Sequence, residues 1–485
     1  MKTAIISTLI FTAAAALALG VGPVRAEAPA AGQPPPAAPA PRDPSGLMVP
    51  SQPPTLPSTL PPPPPPPPLA APPGPTGRMF RSDPAHTGYY FSIPIPALKG
   101  QLWRIQTKGA VTTAAFADGL VYFGSDDDHL YAVDAATGRE RWRFSARKNI
   151  ASSPAVVDGL VYFGSDDENL YAVDAAGGME RWHYKTDGRV QSAPTVSGGM
   201  VYFGSDDKHL YALDARGGAE KWRFKAKKGV RGSPAVAGGL VYVADEGGNV
   251  YGIDAATGTE KWWFKTDKGV SGSVAVSEGT LYVGDDGGNL YAIDAAAGQQ
   301  RGLFKADKGI PASPAVYGGL LYLPSDDRRL YAIDVKAATV KWTVRAEKAI
   351  KSSPSVAGGM VFFGTDEGNL CAVDVATGEV RWKFKADKAI ETSPLIANGL
   401  VVFGSKDGSV YAIYGGEAPP IPLPSVPPNV PPGTGVIFEP PPAQPAPAAP
   451  APPVMPPPPP PPPETGPEIP PPLQVPPAPA PPPGK

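Results

Sequence analysis

Short apolar segments alternate with polar turns along most of the chain, and the alternation repeats every 40 residues between Gly119 and Ile413. In strands, side chains alternate between two faces, so apolar runs of four to seven residues bounded by Gly and Asp indicate short β-strands. The second unit predicts four antiparallel strands in this order: an innermost strand at Ala151–Val157, a second at Leu160–Ser165, a third at Leu170–Asp174, and an outer strand that contains Trp182 and ends near Lys185.

The same unit occurs eight times. Each copy is marked by a glycine followed by the start of the second strand, at Gly119, Gly159, Gly199, Gly239, Gly279, Gly319, Gly359 and Gly399. A four-stranded unit of about 40 residues is typical of a β-propeller blade. The sequence therefore predicts an all-β, eight-bladed propeller of four-stranded antiparallel blades.

The two ends of the repeat region complement each other. The segment around Trp103 resembles an outer strand but precedes any innermost strand, whereas the last unit ends at Tyr414 after its third strand. We expect the N-terminal strand to complete the last blade, because this would close the ring and remove an exposed strand edge.

The flanks have a different composition from the repeats. The 485 residues include 68 prolines, and only eight of them lie between Gln101 and Tyr414. Segments this poor in aromatic residues bury too little apolar surface to offset the entropy of ordering, so we expect disordered proline-rich arms at 27–78 and 416–485 around a propeller domain at 79–415. The arms suit a solvated tether, a ligand for a proline-reading domain, or a spacer across a cell-wall layer.

Residues 1–26 have the layout of a secretory signal peptide. Lys2 is followed by an apolar stretch at Ile5–Gly20 and by the small-residue site Val24-Arg25-Ala26. This pattern predicts export to the periplasm or cell envelope, with no stable membrane span after cleavage. The stretch is short for a membrane-spanning helix, and an uncleaved anchor is the alternative.

Charge and cysteine content limit the possible partners. The chain has 43 basic and 45 acidic residues, a formal net charge of −2, so no basic surface for nucleic acid is expected. Cys371 is the single cysteine, which excludes an intramolecular disulfide and indicates a buried thiol. The four histidines do not have the spacing of metal ligands. We expect the protein to be a monomer.

The turn before each outer strand carries a recognisable motif. It is complete at Ala132, Asp134, Thr137, Gly138 and Trp142, and again at Ala372, Asp374, Thr377, Gly378 and Trp382. This pattern resembles the tryptophan-docking motif of pyrroloquinoline-quinone-type repeats. The Asp can accept turn N–H groups, the Gly can take positive φ, and the indole can pack between blades, so the motif predicts a structural role.

The resemblance implies two functional branches. Quinoprotein dehydrogenases oxidise alcohols or sugars with pyrroloquinoline quinone and calcium, whereas the BamB family of propellers helps to assemble outer-membrane proteins without catalysis. Enzymes of the first branch roof their pocket with long insertions, but every complete unit here has 40 residues and the innermost strands offer serines rather than carboxylates. We therefore predict a non-enzymatic envelope scaffold with no catalytic residue, cofactor or metal ion; a quinone- and calcium-dependent dehydrogenase is the alternative.

Two departures separate this sequence from BamB-like proteins: it has no lipidation cysteine near residue 26 and it carries long proline flanks. Its partners are expected to be envelope proteins of unknown identity, with a polysaccharide as a further possibility.

Acidic turns and basic loops are predicted to share one face of the disc. The residues that form this candidate interaction face are Asp126, Asp166, Asp206, Asp286, Asp326, Asp366, Lys268, Lys308 and Lys388. Such a face suits Asp-capped turns and solubility, or docking of a protein or polysaccharide, with calcium among the carboxylates as a further option.

The repeat is broken most strongly in the fifth and sixth units. Gly302 stands where the other units have Trp, Arg328 and Arg329 replace an acidic or glycine turn, and Ala337-Ala338 replaces Thr-Gly. The missing indole predicts space between two blades, into which a partner side chain could insert. Sequence drift in a dispensable copy explains the same pattern.

Overall fold

The computed structural model describes residues 79–92 and 94–415. Their strands form eight four-stranded antiparallel sheets arranged as a ring, which confirms the predicted eight-bladed β-propeller. The expected signal peptide and both proline-rich arms lie outside the described residues. No helix within the described part of the chain is long and apolar enough to cross a membrane.

Strand β1 precedes the first blade, and the first four blades then follow in chain order. Their bounds are β1 (Gly100–Gln106); in blade 1, β2 (Ala115–Ala117), β3 (Leu120–Gly124), β4 (His129–Asp134) and β5 (Glu140–Ser145); in blade 2, β6 (Ala155–Val157), β7 (Leu160–Gly164), β8 (Asn169–Asp174) and β9 (Glu180–Lys185); in blade 3, β10 (Thr195–Ser197), β11 (Met200–Gly204), β12 (His209–Asp214) and β13 (Glu220–Lys225); in blade 4, β14 (Ala235–Ala237), β15 (Leu240–Ala244), β16 (Asn249–Asp254) and β17 (Glu260–Lys265).

The remaining four blades repeat the pattern, and the last has only three strands of its own. Their bounds are, in blade 5, β18 (Ala275–Ser277), β19 (Thr280–Gly284), β20 (Asn289–Asp294) and β21 (Gln300–Lys305); in blade 6, β22 (Ala315–Tyr317), β23 (Leu320–Pro324), β24 (Arg329–Asp334) and β25 (Thr339–Arg345); in blade 7, β26 (Ser355–Ala357), β27 (Met360–Gly364), β28 (Asn369–Asp374) and β29 (Val380–Lys385); in blade 8, β30 (Leu395–Ala397), β31 (Leu400–Gly404) and β32 (Ser409–Tyr414).

The ring closes through β1, as the sequence predicts. Strand β1 pairs antiparallel with β32, with Trp103 opposite Ala412, and so becomes the outer strand of blade 8. The innermost strands of consecutive blades are neighbours all the way round, including β30 beside β2. Closure therefore pairs both ends of the repeat region and leaves no half-blade with an open edge.

The innermost strands are shorter than the sequence analysis expected. In blade 2 the expected strand at 151–157 is reduced to Ala155–Val157. Pro154 has no N–H for a ladder, and the Ser152 hydroxyl donates sideways to the Ser192 carbonyl of blade 3, at 2.8 Å. Residues 151–154 therefore link blades rather than extend the sheet.

The turns lie on two faces of the disc. The hairpins between first and second strands and the docking turns between third and fourth strands lie on one face, here called the hairpin face. The acidic turns between second and third strands, and the loops that connect blades, lie on the other, the acidic-turn face. At the first hairpin of blade 2, Asp158 has φ 50° and Gly159 φ 75°, the left-handed geometry that Asp-Gly favours.

The core lies between the blades. Second and third strands supply most of it, for example Tyr162, Phe163 and Val173, which are almost fully buried against residues of a neighbouring blade. Burying each side chain of this size stabilises the fold by about 1.5–3 kcal/mol relative to leaving it exposed. Cys371 is buried in the same layer, and burial raises the pKa of its thiol to about 12, so it is unreactive in the folded protein.

A segment ahead of β1 covers the inner strands on the hairpin face. We call residues 79–92 the lead-in segment. Its carbonyls accept hydrogen bonds from the innermost strands of blades 4 to 7: Val236 N to Pro84 O (2.6 Å), Val276 N to Ala85 O (2.9 Å), Val316 N to Thr87 O (2.8 Å) and Val356 N to Gly88 O (2.8 Å).

Candidate functional site

At seven of the eight junctions between neighbouring blades, the indole of a tryptophan joins the two blades. Its Nε1–H donates to a backbone carbonyl in the next blade at 2.8–3.2 Å. The pairs are Trp103 to Ala135, Trp142 to Ala175, Trp182 to Ala215, Trp222 to Ala255, Trp262 to Ala295, Trp342 to Val375 and Trp382 to Ile95. Blade 8 has no docking turn after Tyr414, and the segment before β1 supplies the carbonyl of Ile95 instead.

The aspartate of the docking turn organises the acceptor. In blade 7, Asp374 accepts the N–H groups of Ala376 and Thr377 at 3.0 and 3.1 Å and the Arg381 guanidinium at 2.9 Å. The Arg381 hydrogen bond, followed by the turn N–H groups, holds the pKa of Asp374 below its ordinary value. Asp134 in blade 1 makes the equivalent bonds to Ala136, Thr137 and Arg141.

The glycine of the docking turn makes room for the indole ring. Gly138 has φ 71°, and a Cβ there would lie 2.8 Å from Cγ of Trp103; at Gly298 a Cβ would lie 2.6 Å from Cδ2 of Trp262. These separations are too short for a methyl group, so any larger residue would displace the ring. Six of the seven indoles therefore lie directly against a docking-turn glycine; the exception is Trp382, whose partner segment has no docking turn.

The junction between blades 5 and 6 has no indole and contains a cavity of about 340 Å³. Gly302 lies where the indole would be attached, and Tyr282, Val335 and Ala338 line the cavity. Ala338 occupies the docking-turn glycine position with φ 55°. A methyl group fits there because no indole ring lies against it.

The structure separates the symmetry-breaking residues into two groups. Arg328 and Arg329 lie in the acidic turn of blade 6, at the opposite end of β24 from Val335, and neither lines the cavity. Arg329 contacts Asp307 at 2.5 Å and Tyr331 at 3.2 Å. The predicted third strand of the repeat lies between the acidic turn and the docking turn, which is the physical reason for this separation.

The two acids of each acidic turn have different environments. One acid is structural. In blade 2 it is the second, Asp167, which accepts Arg147 N–H at 3.0 Å and the Tyr171 hydroxyl at 2.8 Å; in blades 4 and 5 it is the first, Asp245 and Asp285, which accept the N–H groups of Lys228 and Lys268. Burial alone would raise the pKa of Asp167, but these bonds, with those from Asn169, outweigh burial and lower it. The connecting loop is thereby fixed to the turn.

The other acid faces its counterparts in the neighbouring blades. It is the first acid of the turn in blades 1, 2, 3, 6 and 7 and the second in blades 4 and 5, where it is Glu246 and Asp286. Burial, and then the charge of Asp166, raise the pKa of Asp126; burial raises that of Asp326, with Asp366 and Asp286 acting in the same direction and Lys351 opposing them. Seven such carboxylates therefore lie round the channel on the acidic-turn face, and Lys406 takes the same position in blade 8.

One further residue per blade lies beside these channel-side positions, and sequence reasoning missed it. Its identity differs in each blade, and it contacts the channel-side acids in the pairs Gln191–Asp166 (2.8 Å), Arg231–Asp206 (2.7 Å), Arg231–Glu246 (2.6 Å), Ser271–Asp286 (2.7 Å) and Lys351–Asp366 (3.1 Å). Aligning the 40-residue units would have revealed this variable position. The channel mouth is thus the least repetitive part of this face.

The predicted lysines lie in the connecting loops of the same face. Lys268, Lys308 and Lys388 are exposed. The N–H of Lys268 donates to Asp285 at 3.2 Å, which places its loop beside the acidic turn of blade 5. The alternation of acidic and basic side chains round the whole face stays a prediction.

The lead-in segment contributes buried polar groups near the axis. Arg81 is fully buried and donates from its guanidinium to the Pro354 carbonyl at 2.6 Å and to the Pro314 carbonyl. His86 lies 3.0 Å from the Thr195 hydroxyl, and burial, with the charge of Arg81, lowers the pKa of its imidazole to about 3. Both side chains attach the segment to the blades.

The residues present do not fit a calcium–quinone centre. Among the described residues there is no group of three or more His, Cys, Asp or Glu side chains arranged to hold a metal ion. A catalytic calcium site takes six to eight oxygen ligands, several of them carboxylates.

A family model described as "Outer membrane protein assembly factor BamB" matches four stretches of the chain, at residues 97–194, 187–269, 250–355 and 345–417. Together they span residues 97–417, or 321 of the 485 residues. The chain belongs to this family of PQQ-like repeat propellers. No protein with curated annotation matches the sequence significantly.

Solved structures of both functional branches share the fold. BamB from Moraxella catarrhalis is 18% identical, with 65% of this chain and 99% of that chain covered and a TM-score of 0.58. A europium-containing methanol dehydrogenase is 14% identical, with 70% and 98% covered and a TM-score of 0.62. The quinohemoprotein alcohol dehydrogenase from Comamonas testosteroni is 18% identical, with 73% and 82% covered and a TM-score of 0.61. At these identities the likeness establishes the fold alone.

Proposed function

We propose that this protein is a non-enzymatic, exported propeller scaffold that binds other proteins of the cell envelope, as the family description of BamB as an assembly factor suggests. The acidic-turn face is the proposed contact surface, because it combines exposed charges of both signs with a channel mouth that differs from blade to blade.

The observation that carries the proposal is the use of the inner hydroxyl groups. Serines of successive blades accept backbone N–H groups of their neighbours: Ala193 N to Ser233 Oγ (3.0 Å), Ser233 N to Ser273 Oγ (2.9 Å), Ser273 N to Ser313 Oγ (2.8 Å) and Ser313 N to Ser353 Oγ (3.1 Å). Thr113 accepts Ser393 N in the same way, at 3.0 Å, between blades 8 and 1. These hydroxyl groups of the innermost strands thus hold neighbouring blades together. Their use in blade-to-blade contacts supports a structural scaffold.

The contact surface can be tested with matched charge changes on the two faces. Asp126→Asn with Asp286→Asn removes two charges from the acidic-turn face, whereas Asp118→Asn with Asp158→Asn removes two from the hairpin face and leaves Asn-Gly turns of the same type. Envelope proteins retained by the full-length chain should be lost with the first pair and kept with the second. Equal capture by both variants would contradict the assignment of the face.

The enzymatic alternative rests on the shared fold of the methanol and alcohol dehydrogenases. Purified protein supplied with pyrroloquinoline quinone and Ca²⁺ should show no dye-linked oxidation of alcohols or sugars. Calorimetry with Ca²⁺ alone should give neither heat of binding nor a change in melting temperature. Turnover above the level of the free cofactor would overturn the scaffold proposal.

A further inference from the structure

The cavity at the junction of blades 5 and 6 retains most of the surroundings that hold an indole elsewhere in this ring. At six junctions an aromatic ring of the second strand lies 5.7–5.9 Å from the indole, as Tyr242 does from Trp262. Tyr282 occupies the same position at the cavity. The turn of blade 6 also presents the Val335 carbonyl, the counterpart of the acceptor Ala295.

The missing indole leaves apolar surface partly uncovered. Tyr282 is 7% exposed, compared with 1–3% for its counterparts Tyr122, Tyr162, Tyr202, Tyr242 and Tyr322. Leu303 and Phe304 of the outer strand complete the wall. The cavity volume of 340 Å³ lies at the lower end of the range for specific ligand sites, large enough for one aromatic side chain and too small for a folded element.

The rim of the cavity carries a cation that most other junctions lack; Arg216 in blade 3 is the other case. Lys336 lies at the rim and is exposed, at a position where most other docking turns carry alanine, such as Ala136, Ala176, Ala256, Ala296 and Ala376. The neighbouring cations are already paired, Arg301 with Asp294 at 2.6 Å and Lys341 with Asp334 at 3.2 Å. Lys336 has no such carboxylate partner among the described residues, so the rim favours an acidic ligand.

We propose that this cavity is a docking site for a tryptophan side chain on an acidic segment of a partner protein. The indole enters from the rim, packs against Tyr282 and Phe304, and donates its N–H to the Val335 carbonyl, while a neighbouring carboxylate of the segment pairs with Lys336. A ring that is not attached to position 302 can stand clear of the Ala338 methyl group. Aromatic anchors in such pockets commonly dominate binding energy.

The proposal deepens the scaffold function and adds a second, smaller contact site on the rim of the disc. It can fail separately from that function. Capture of envelope proteins by a protein that does not bind the Trp peptide described below would leave the scaffold standing and refute the docking site.

The probe is a blocked peptide with a single Trp flanked by Asp residues, titrated into the full-length protein by calorimetry. Replacing its Trp with Ala should abolish binding, and replacing its Asp residues with Asn should weaken binding several-fold. Lys336→Ala should weaken peptide binding by tenfold at most, which corresponds to about 1.4 kcal/mol of binding free energy.

The cavity is tested by filling it in two ways. Gly302→Leu and the double change Gly302→Trp/Ala338→Gly should each abolish peptide binding, while melting temperatures equal to or above that of the unchanged protein show that the ring is intact. Trp263→Ala, on the outer surface of blade 4, should leave binding unchanged. Absence of binding to the unchanged protein, equal binding to the filled variants, or binding of free indole without binding of the peptide would each overturn the proposal.

Discussion

The junctions on either side of blade 5 are built from the same elements and differ at two facing positions, the indole and the turn residue beneath it. Between blades 4 and 5, Trp262 lies against Gly298 and donates to Ala295 at 3.0 Å. Between blades 5 and 6, Gly302 leaves a cavity of about 340 Å³ beside Ala338. The ring closes in spite of this gap, because blade-to-blade serine contacts continue past it, from Ser273 to Ser313 and from Ser313 to Ser353.

The difference shows that the docking motif works as a pair of positions. Glycine is required in the turn only where an indole lies on it, so loss of the Trp relaxes the requirement, and Ala338 is found where it is relaxed. The pair therefore separates two kinds of junction: one that fastens blades and one that is open to a ligand.

The largest effect is expected where the indole also closes the ring. Trp103→Ala removes the contact to Ala135 at 2.8 Å and loosens β1, the strand that is not continuous in sequence with the rest of its blade. The loss should exceed about 3–5 kcal/mol for a buried aromatic, and exposure of β32 should cause aggregation. Light scattering during thermal unfolding measures both; a monodisperse protein with an unchanged melting temperature would contradict the role of β1.

A smaller loss is expected at an internal complete junction. Trp262→Ala should cost about 3–5 kcal/mol, because a buried indole is replaced by a cavity. Its sequence neighbour Trp263 is 49% exposed, with the Lys227 ammonium over its ring, so Trp263→Ala should cost about 1 kcal/mol or less. Denaturant unfolding of the two variants gives the comparison, and equal losses would show that the indole contacts do not fasten the blades.

Exchanging the turn residues should have opposite effects at the two junctions. Gly298→Ala places a methyl group 2.6 Å from the Trp262 ring at φ 70° and should cost about 1–3 kcal/mol. Ala338→Gly removes a residue from positive φ with no ring above it, and should be neutral or slightly stabilising. Melting temperatures decide the matter; similar losses at both sites would mean that the turn residue is independent of the indole.

The smallest effects on stability are expected in the acidic turns, where the pKa values of Asp206 in blade 3 and Asp326 in blade 6 are shifted in opposite directions. Burial alone would raise the pKa of Asp206 in blade 3, but the guanidinium groups of Arg231 and Arg189 outweigh it and lower the pKa. In blade 6, burial raises the pKa of Asp326. At pH 7, Asp206→Asn should therefore destabilise and Asp326→Asn stabilise the fold, each by less than about 1 kcal/mol.

The pH dependence of these two variants has opposite signs. The contribution of Asp206 is present above the unfolded pKa of about 3.9 and is lost as pH falls through its lower folded value. The charged form of Asp326 is penalised above its raised folded pKa, and the penalty disappears below about 3.9. Melting temperatures at pH 3 and 7 test this, and a stabilising effect of Asp326→Asn that persists at pH 3 would point to packing rather than charge.

The repeat made the architecture predictable, because each 40-residue unit carries its own turn signals. Asp158-Gly159 identified a hairpin, Trp103 identified the closing strand, and Gly302 identified the junction with space. These are local signals, read from residue type and position within the unit.

Other features depend on contacts that no unit contains by itself. The burial of Arg81 and His86 depends on how the lead-in segment crosses four blades, and the short innermost strands depend on sideways bonds such as Ser152 to Ser192. The relation between Gly302 and Ala338 spans two blades. At the neighbouring junction a Cβ at Gly298 would lie 2.6 Å from Cδ2 of Trp262, so the turn residue depends on the indole of the preceding blade.

The central claim is that positions 302 and 338 act as one site, open in this protein and closable by an indole. Thermal unfolding of Gly302→Trp, Ala338→Gly and the double variant tests it directly, as a double-mutant cycle against the unchanged protein. We predict that Gly302→Trp alone gains nothing or destabilises, and that the double variant melts above the unchanged protein, with a coupling of about 1–3 kcal/mol. Additive effects of the two changes, with no gain in the double variant, would contradict the claim.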